Sequence, residues 1–181
     1  DYFGPASFTY TVEDGSGGVV VETVSLIVNS VNDKTVITLD TGSGDGNYDI
    51  TYIENDPGHA LVDSSILLED VDHSRLESAT IELTNGQIGD ILEFGLMPPG
   101  ISASAVPPTA LTSPEPIIIT LSGTATLENY QDALQLLTFR SISDAPSVVD
   151  RIVSITVNDG IDDSNVGTTT IEVIAVNDAP I

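Results

Sequence analysis

The sequence contains no cysteine, no tryptophan and only four basic residues among its 181. Without cysteine, no disulfide framework can hold the fold, and catalysis by a thiol is excluded. No apolar run approaches the roughly 18 residues that a membrane-spanning helix needs, so no membrane insertion is expected. No segment has the pattern of a signal peptide, and a secretion signal is therefore expected upstream in a longer polypeptide.

Positive charge is the scarcest property of the chain. Four Lys and Arg residues face 28 Asp and Glu residues, which gives a formal net charge of −24. Nucleic acids and anionic membrane surfaces are poor partners, because their phosphates are bound mainly by Lys and Arg. A chain with this much negative charge attracts cations. Most of its acidic residues, however, are expected only to favour solubility.

Histidine is also scarce, which argues against catalysis. His59 and His73 are the only two, and neither has the Ser and Asp context that activates a nucleophile. Two histidines without cysteine also fall short of the usual zinc ligand sets. Carboxylates are abundant enough for a glycosidase-like pair, but no nucleophile, base and oxyanion donor come together. The chain is therefore predicted not to be an enzyme.

A long internal repeat is the clearest positive feature. Residues 8–33 align without a gap on residues 153–178, an offset of 145 (33 + 145 = 178), and ten of the 26 aligned positions are identical. "FTYTVEDG" falls on "VSITVNDG", and "TVSLIVNSVND" falls on "TTTIEVIAVND". In both copies the alternation of apolar residues predicts a strand, an Asp-Gly turn and a second strand.

A repeat at such a long period is typical of a modular array. Residues 1–33 are interpreted as the last hairpin and linker of a preceding module, and residues 34–181 as one complete module that ends in the next linker. Because an isolated two-stranded hairpin is marginal in water, the first hairpin is expected to pack on a neighbouring module or to pair with another chain.

Short segments rich in Val, Ile and Thr, separated by Gly, Asn, Asp and Pro, predict an all-β antiparallel sandwich. One short helix is predicted where Thr126 can cap a segment with Leu127, Tyr130, Leu134 and Leu137 at helical spacing. Residues 97–116 hold six of the ten prolines and are predicted to be a loop or a poorly paired edge. The predicted strands are 36–40, 49–54, 64–70, 78–84, 90–95, 116–126, 136–141, 151–159 and 168–176.

Acidic residues cluster at the predicted turns, and "LLEDVDHS" is the most informative cluster. Asp70 and Asp72 alternate around Val71 as a strand ends, so both carboxylates can reach a common point. Calcium takes six to eight oxygen ligands, at roughly 2.3 to 2.6 Å. Further ligands are expected from turns at the same end of the sandwich, namely Asn32 and Asp33 in the first "VND" and Asp159 in "VNDG". A solvated turn is the alternative interpretation.

The glycine-rich stretch "GSGDGNYDI", residues 42–50, offers a second and weaker calcium pattern. It resembles one turn of a calcium-binding nonapeptide repeat, but such repeats bind ions between stacked turns, and this copy is alone. A glycine loop that leads into a strand is the preferred interpretation.

Taken together, "YIENDP", "LLEDVD", "LENYQDALQLLTFRS", "TVNDG" and "VNDAP" resemble the cadherin-like repeats of large bacterial surface and secreted proteins. These include biofilm adhesins and proteins that also carry glycine-rich calcium repeats. The resemblance covers residues 34–181, with the hairpin of the preceding repeat in 1–33. It implies an immunoglobulin-like or cadherin-like Greek-key β-sandwich that shares calcium ions with its neighbours.

In such modules an acidic linker, a D-x-D motif and an Asp in the last turn of the next module share calcium at the junction. At the opposite end an early-strand Glu is joined by the following linker. This chain lacks the full "DxNDNAP" linker of animal cadherins, and Lys34 and Thr35 follow its "VND" where Ala and Pro are usual, which implies fewer ions or a weakened site. The residues implied are Asn32, Asp33, Asp70, Asp72 and Asp159 at one junction, and Glu54 and Asp178 at the other, with Asp56 as a weaker companion.

The resemblance thus implies a calcium-binding structural and adhesive spacer in a long extracellular adhesin-like protein. Its partners would be the neighbouring modules, with homotypic or cell-surface contacts in addition. The alternative is a module that binds a polysaccharide or a protein through the proline-rich loop or an exposed edge. A sugar platform needs exposed aromatic rings. By alternation, Phe8, Tyr10 and Phe139 are expected to point inward, which leaves Tyr2, Tyr48, Tyr52 and Tyr130 as candidates.

Overall fold

A computed structural model describes residues 2–105 and 110–178, and the chain divides into two compact units, Asp1–Asp33 and Lys34–Ile181. The first unit is a hairpin of β1 (Gly4–Glu13) and β2 (Val19–Val28), paired antiparallel along their whole length. At its turn, Asp14 Oδ1 accepts hydrogen bonds from the backbone N–H groups of Ser16 and Gly18, at 2.8 and 2.9 Å. Its origin in a preceding module remains a prediction.

The second unit is an all-β sandwich with one short helix, as predicted. Its largest sheet has the strand order β4-β13-β12-β7-β10-β9, a second sheet has the order β5-β11-β8, and β3 pairs with β6. Neighbouring strands are antiparallel except β4 and β13, which are parallel. The elements are β3 (Val36–Thr38), β4 (Tyr48–Ile53), β5 (His59–Ala60), β6 (Leu67–Glu69), β7 (Arg75–Leu83), β8 (Asp90–Phe94), β9 (Ser102–Ala105), β10 (Ile117–Thr126), α1 (Leu127–Gln135), β11 (Leu137–Ser141), β12 (Arg151–Asn158) and β13 (Gly167–Ile174).

One hydrophobic core lies between the sheets. Alternate residues of β12, Val153, Ile155 and Val157, are buried, because every second side chain of a strand points to the same face. Leu92 and Phe139 of the three-stranded sheet belong to the same core. The turns that carry the candidate site residues therefore extend from strands that are anchored on a packed interior.

The helix α1 begins as the sequence predicts. Thr126 Oγ1 accepts a hydrogen bond from the backbone N–H of Asn129 at 3.2 Å, which satisfies one donor that the first turn leaves unpaired. Tyr130 and Leu134 are buried. The extension of the helical pattern to Leu137 was wrong, because the helix ends at Gln135 and Leu137 opens β11, where it is buried in the core.

The proline-rich stretch contains a short edge strand, β9, which pairs only with β10 among the described residues. Residues 106–109 of this stretch lie outside the described residues. A bulge interrupts β10 between Ser122 and Ala125. At its centre Gly123 has a φ of +133°, and a Cβ there would lie 1.9 Å from the carbonyl oxygen of Gly100. Only glycine fits this position, because the backbone of a neighbouring loop occupies the space of a side chain.

A buried ion pair joins the two larger sheets. Asp90 of β8 and Arg151 of β12 both have side chains with no exposed surface. Arg151 Nε donates to Asp90 Oδ2 at 2.6 Å, and its Nη2 donates to Oδ1 at 3.2 Å. The backbone N–H of Gln87 donates to Oδ2, and Arg151 Nη1 donates to the carbonyl oxygens of Ser147 and Val149. One of the four basic residues is thus used entirely inside the fold.

Two of the three aromatic residues expected to point inward are exposed. Phe139 is buried as predicted, but Phe8 and Tyr10 are 55% and 46% exposed. Apolar residues alternate in these strands as they do in strands that cover a core. The first unit has only two strands, however, and therefore contains no second layer for their apolar face to pack against. Tyr2 is exposed, Tyr52 and Tyr130 are buried, and Tyr48 is half-buried.

Candidate metal centre

Two acidic turns lie at the same end of the second unit. Asn158 at the end of β12 pairs with Ser78 near the start of β7, so the turn before β7 and the turn after β12 are at one end of the sheet. These turns are 70–74 and 159–163, and the unit begins beside them at Lys34. We refer to this end as the amino-terminal end of the sandwich.

Asp70 organises the first turn. Its Oδ1 accepts hydrogen bonds from the backbone N–H groups of Asp72 and His73, at 3.1 and 2.7 Å, and its Oδ2 accepts one from Thr35 Oγ1 at 2.6 Å. The Asp70 side chain has no exposed surface. The turn therefore holds a carboxylate in a fixed orientation beside the start of the unit.

These contacts lower the pKa of Asp70. Burial has the largest single effect and raises the pKa, because it disfavours the charged form. The hydrogen bonds from Thr35, His73 and Asp72 act in the opposite direction and together outweigh burial, so the pKa lies below its ordinary value. Asp70 is thus a carboxylate at neutral pH, which is the form that a metal ion requires.

His73 completes a cluster of three potential ligands, and sequence reasoning missed it. Ligand atoms of Asp70, Asp72 and His73 all lie within 4.8 Å of one another. His73 Nδ1 is 3.0 Å from Asp72 Oδ1 and 3.7 Å from Asp70 Oδ1. The sequence signal was present in "DVDH", but the histidines were considered only as catalytic or zinc-binding residues.

The second acidic turn follows β12. Asp159 is 7% exposed, and its Oδ1 accepts hydrogen bonds from the backbone N–H groups of Ile161 and Asp162, at 2.7 and 2.8 Å. Lys34 Nζ lies 3.9 Å from Asp162 Oδ1, and both side chains are well exposed. A positive charge therefore lies at the amino-terminal end, where it opposes the binding of a cation.

The predicted ligands are only partly brought together. Asp70 and Asp72 share one cluster, whereas Asp159 is not a member of it in the part of the chain that the structure describes. Asn32 and Asp33 follow β2 and belong to the first unit. Asp70, Asp72 and Asp159 nevertheless lie in the two turns that follow strands, as their sequence context predicts.

Glu54 lies at the opposite end of the sandwich. β4 and β13 run parallel up to the pair Ile53 and Ile174, and the backbone N–H of Glu54 donates to the carbonyl oxygen of Ile174 at 2.8 Å. Its side chain is folded inward and only 4% exposed. Glu54 Oε2 accepts a hydrogen bond from the backbone N–H of Val176 at 2.7 Å, and Oε1 has no partner among the described residues.

An unpartnered buried carboxylate oxygen is costly unless another group satisfies it. Glu54 Oε1 lies beside the segment that leads to Asp178, which is exposed. Asp56 is close in sequence, but its carboxylate lies 3.3 Å from His59 Nε2. A hard cation that binds oxygen would satisfy Glu54 Oε1, but among the described residues the group of three potential ligands is Asp70, Asp72 and His73, at the other end.

Comparisons with models of protein families, with curated proteins and with solved structures find no match for this chain. Among the described residues, no helix has both the length and the apolar character needed to cross a membrane.

Proposed function

We propose that the second unit is a calcium-binding structural spacer module of a long extracellular, adhesin-like protein, in which ions stiffen the junctions between modules. The observation that carries the proposal is the carboxylate of Glu54, which is buried at the end where the chain leaves the unit and has one unpartnered oxygen. The cluster of Asp70, Asp72 and His73 supports the proposal as well, because it places potential metal ligands at the amino-terminal end of the same unit.

The charge of the chain gives the ions a physical role. With a net charge of −24, carboxylates that meet at a junction repel one another, and a divalent cation between them removes the repulsion. The hydrogen bonds to Asp70 fix its orientation before any ion binds, which reduces the entropy cost of assembling a site. Calcium is the cation of choice, because apart from the imidazole of His73 the candidate ligands are carboxylate oxygens. Localisation at a cell surface and a contribution to adhesion belong to the same proposal.

The test is a calcium titration of the chelator-stripped chain by calorimetry, with parallel melting curves. At a free calcium concentration of 100 times the dissociation constant, one site adds about 2.7 kcal/mol to the free energy of unfolding. For a chain of this size that raises the melting temperature by about 5 to 11 °C. Absence of both the binding heat and the shift would contradict calcium sites in this chain.

Variants at each end separate ligands from solvated acids. Glu54→Gln and the pair Asp70→Asn with Asp72→Asn should each lose part of the calcium-dependent rise in melting temperature, which is measured for each variant as the difference between calcium and chelator. Asp132→Asn, an exposed site on α1, is the matched control and should keep the full rise. Equal losses in calcium and in chelator would show that the carboxylates serve only the fold.

The structure does not favour the alternative of a sugar-binding module. In the described part of the second unit, every Tyr and Phe is buried or half-buried, and a sugar platform needs exposed rings. We therefore propose no second function.

A further inference from the structure

The two hairpins of the chain pair in the same register. In β12 and β13, Arg151 pairs with Ile171, and the ladder continues to Ile155 with Gly167. Subtracting 145 gives Ala6 with Leu26 and Tyr10 with Glu22, which are pairs of the β1 and β2 ladder. All five pairs of the later hairpin have their equivalents in the first, so the agreement extends from sequence to strand pairing.

The turns share one feature, although the later hairpin bridges Asn158 with Asp163 and the first hairpin pairs Glu13 with Val19, which is one residue further along. Asp14 and Asp159 occupy equivalent positions, and each accepts a hydrogen bond through Oδ1 from the backbone N–H two residues later, at 2.8 Å from Ser16 and 2.7 Å from Ile161. Such an Asx turn fixes the direction in which the second strand leaves. Away from the turn, the first hairpin therefore pairs its strands as the later one does.

The surroundings of the two hairpins differ. Val153, Ile155 and Ile171 are completely buried, whereas their equivalents Phe8, Tyr10 and Leu26 are 55%, 46% and 41% exposed. In the second unit, β12 is bordered by the antiparallel strand β7 and β13 by the parallel strand β4. Within the first unit, β1 and β2 pair only with each other.

We propose that the first hairpin is a docking surface for a β-sandwich that lacks its own last two strands. The open edge of β1 receives an antiparallel strand equivalent to β7, the open edge of β2 receives a parallel strand equivalent to β4, and the face of Phe8, Tyr10 and Leu26 closes the core of that sandwich. The hairpin of the second unit, seated between these same neighbours, is the template for this arrangement.

The side chains of the hairpin also define which sandwich fits. Glu22 stands at the position of Gly167, where even a Cβ would lie 2.8 Å from Leu39 Cγ. Phe8 and Tyr10 are larger than Val153 and Ile155, and extra volume in a packed core is destabilising. The partner is therefore a sandwich with a smaller residue in place of Leu39 and more room beneath the hairpin, and an exchange with β12 and β13 of a second copy is disfavoured.

A tandem chain tests the proposal. A copy of residues 34–150 is placed directly before residue 6, because Ala6 corresponds to Arg151, and the remainder of the chain is kept to residue 181. A second version carries Phe8→Val, Tyr10→Ile and Glu22→Gly, which are the residues of the later hairpin. The measurement is amide hydrogen exchange in β1 and β2. It is made in chelator, so that the result does not depend on the calcium sites of the proposed function.

In the second version the amides of β1 and β2 should exchange at least about 100-fold more slowly than in the unextended chain with the same substitutions. The first version should show weaker protection, because its larger side chains meet a core built for smaller ones. Unchanged exchange in both versions would overturn the proposal. Protection in the unextended chain that rises with protein concentration would identify a second copy as the occupant and would also overturn it.

Discussion

Substitution of Arg151 by methionine should destabilise the second unit strongly. Among the described residues, the variant leaves the buried Asp90 carboxylate with the hydrogen bond from Gln87 alone, at 2.8 Å. Removing one partner of a buried ion pair costs about 3 to 5 kcal/mol, because the remaining charge is uncompensated. Within a total stability of roughly 5 to 15 kcal/mol this is a large loss, and it corresponds to a fall in melting temperature of roughly 6 to 20 °C.

The surface pair of Arg140 and Glu93 provides the control. Its atoms are 2.7 Å apart, but the two side chains are 33% and 47% exposed. Arg140→Met removes the same charge and should cost less than about 1 kcal/mol. Equilibrium unfolding in urea, followed by circular dichroism because the chain has no tryptophan, gives both free energies and shows whether the slope m is unchanged.

A third variant shows how much of the destabilisation comes from the Asp90 charge that Arg151→Met leaves unpaired. Asp90→Leu combined with Arg151→Met removes both charges, and it should be less destabilised than Arg151→Met alone, because no unpaired ion remains in the core. If Arg151→Met costs no more than Arg140→Met, the reasoning from burial is refuted.

Two further predictions concern the bulge and the acidic turn. Gly123→Ala should lower the free energy of unfolding by about 3 kcal/mol or more, since the Cβ would meet a backbone oxygen at 1.9 Å. Gly44→Ala is the control, because there is open space around its Cβ. It should change the free energy of unfolding by less than about 1 kcal/mol in the same urea assay. The lowered pKa of Asp70 means that its stabilising contribution is present above the pKa of the unfolded chain and is lost as pH falls through the folded pKa. In chelator, the stability difference between wild type and Asp70→Asn should therefore shrink from pH 5 towards pH 3, and a difference independent of pH would contradict the assignment.

The sequence predicted the regular elements of the second unit well, because its strands carry the period-two alternation that a sandwich requires. β5 was missed since it has two residues, and β9 because "SASA" has neither bulk nor branching. Thr126 marked the start of the helix through its capping chemistry, which acts over three residues and is visible in sequence.

Long-range partners could not be predicted. The parallel pairing of β4 with β13 joins segments about 120 residues apart. The residues of a strand do not indicate which distant strand it pairs with. Nothing in the sequence distinguished Arg151, which is buried, from Arg140, which is on the surface. The aspartate turns were recognisable from the spacing of their residues, but the inclusion of His73 and the exclusion of Asp159 from one cluster depend on the path of the backbone.

The parallel pair of β4 and β13 also determines how tension would pass through the unit. β4 follows the short strand β3 near the start of the unit, and β13 is the last strand of the unit. The two run side by side over six residue pairs, from Tyr48 with Thr169 to Ile53 with Ile174. Once the three residue pairs of β3 and β6 have separated, a pull on the two ends slides β4 and β13 along each other, so the hydrogen bonds between them are loaded in shear and share the force. Separation of the two strands then requires many hydrogen bonds to break together. The time for which the unit stays folded under tension is therefore set by its unfolding barrier.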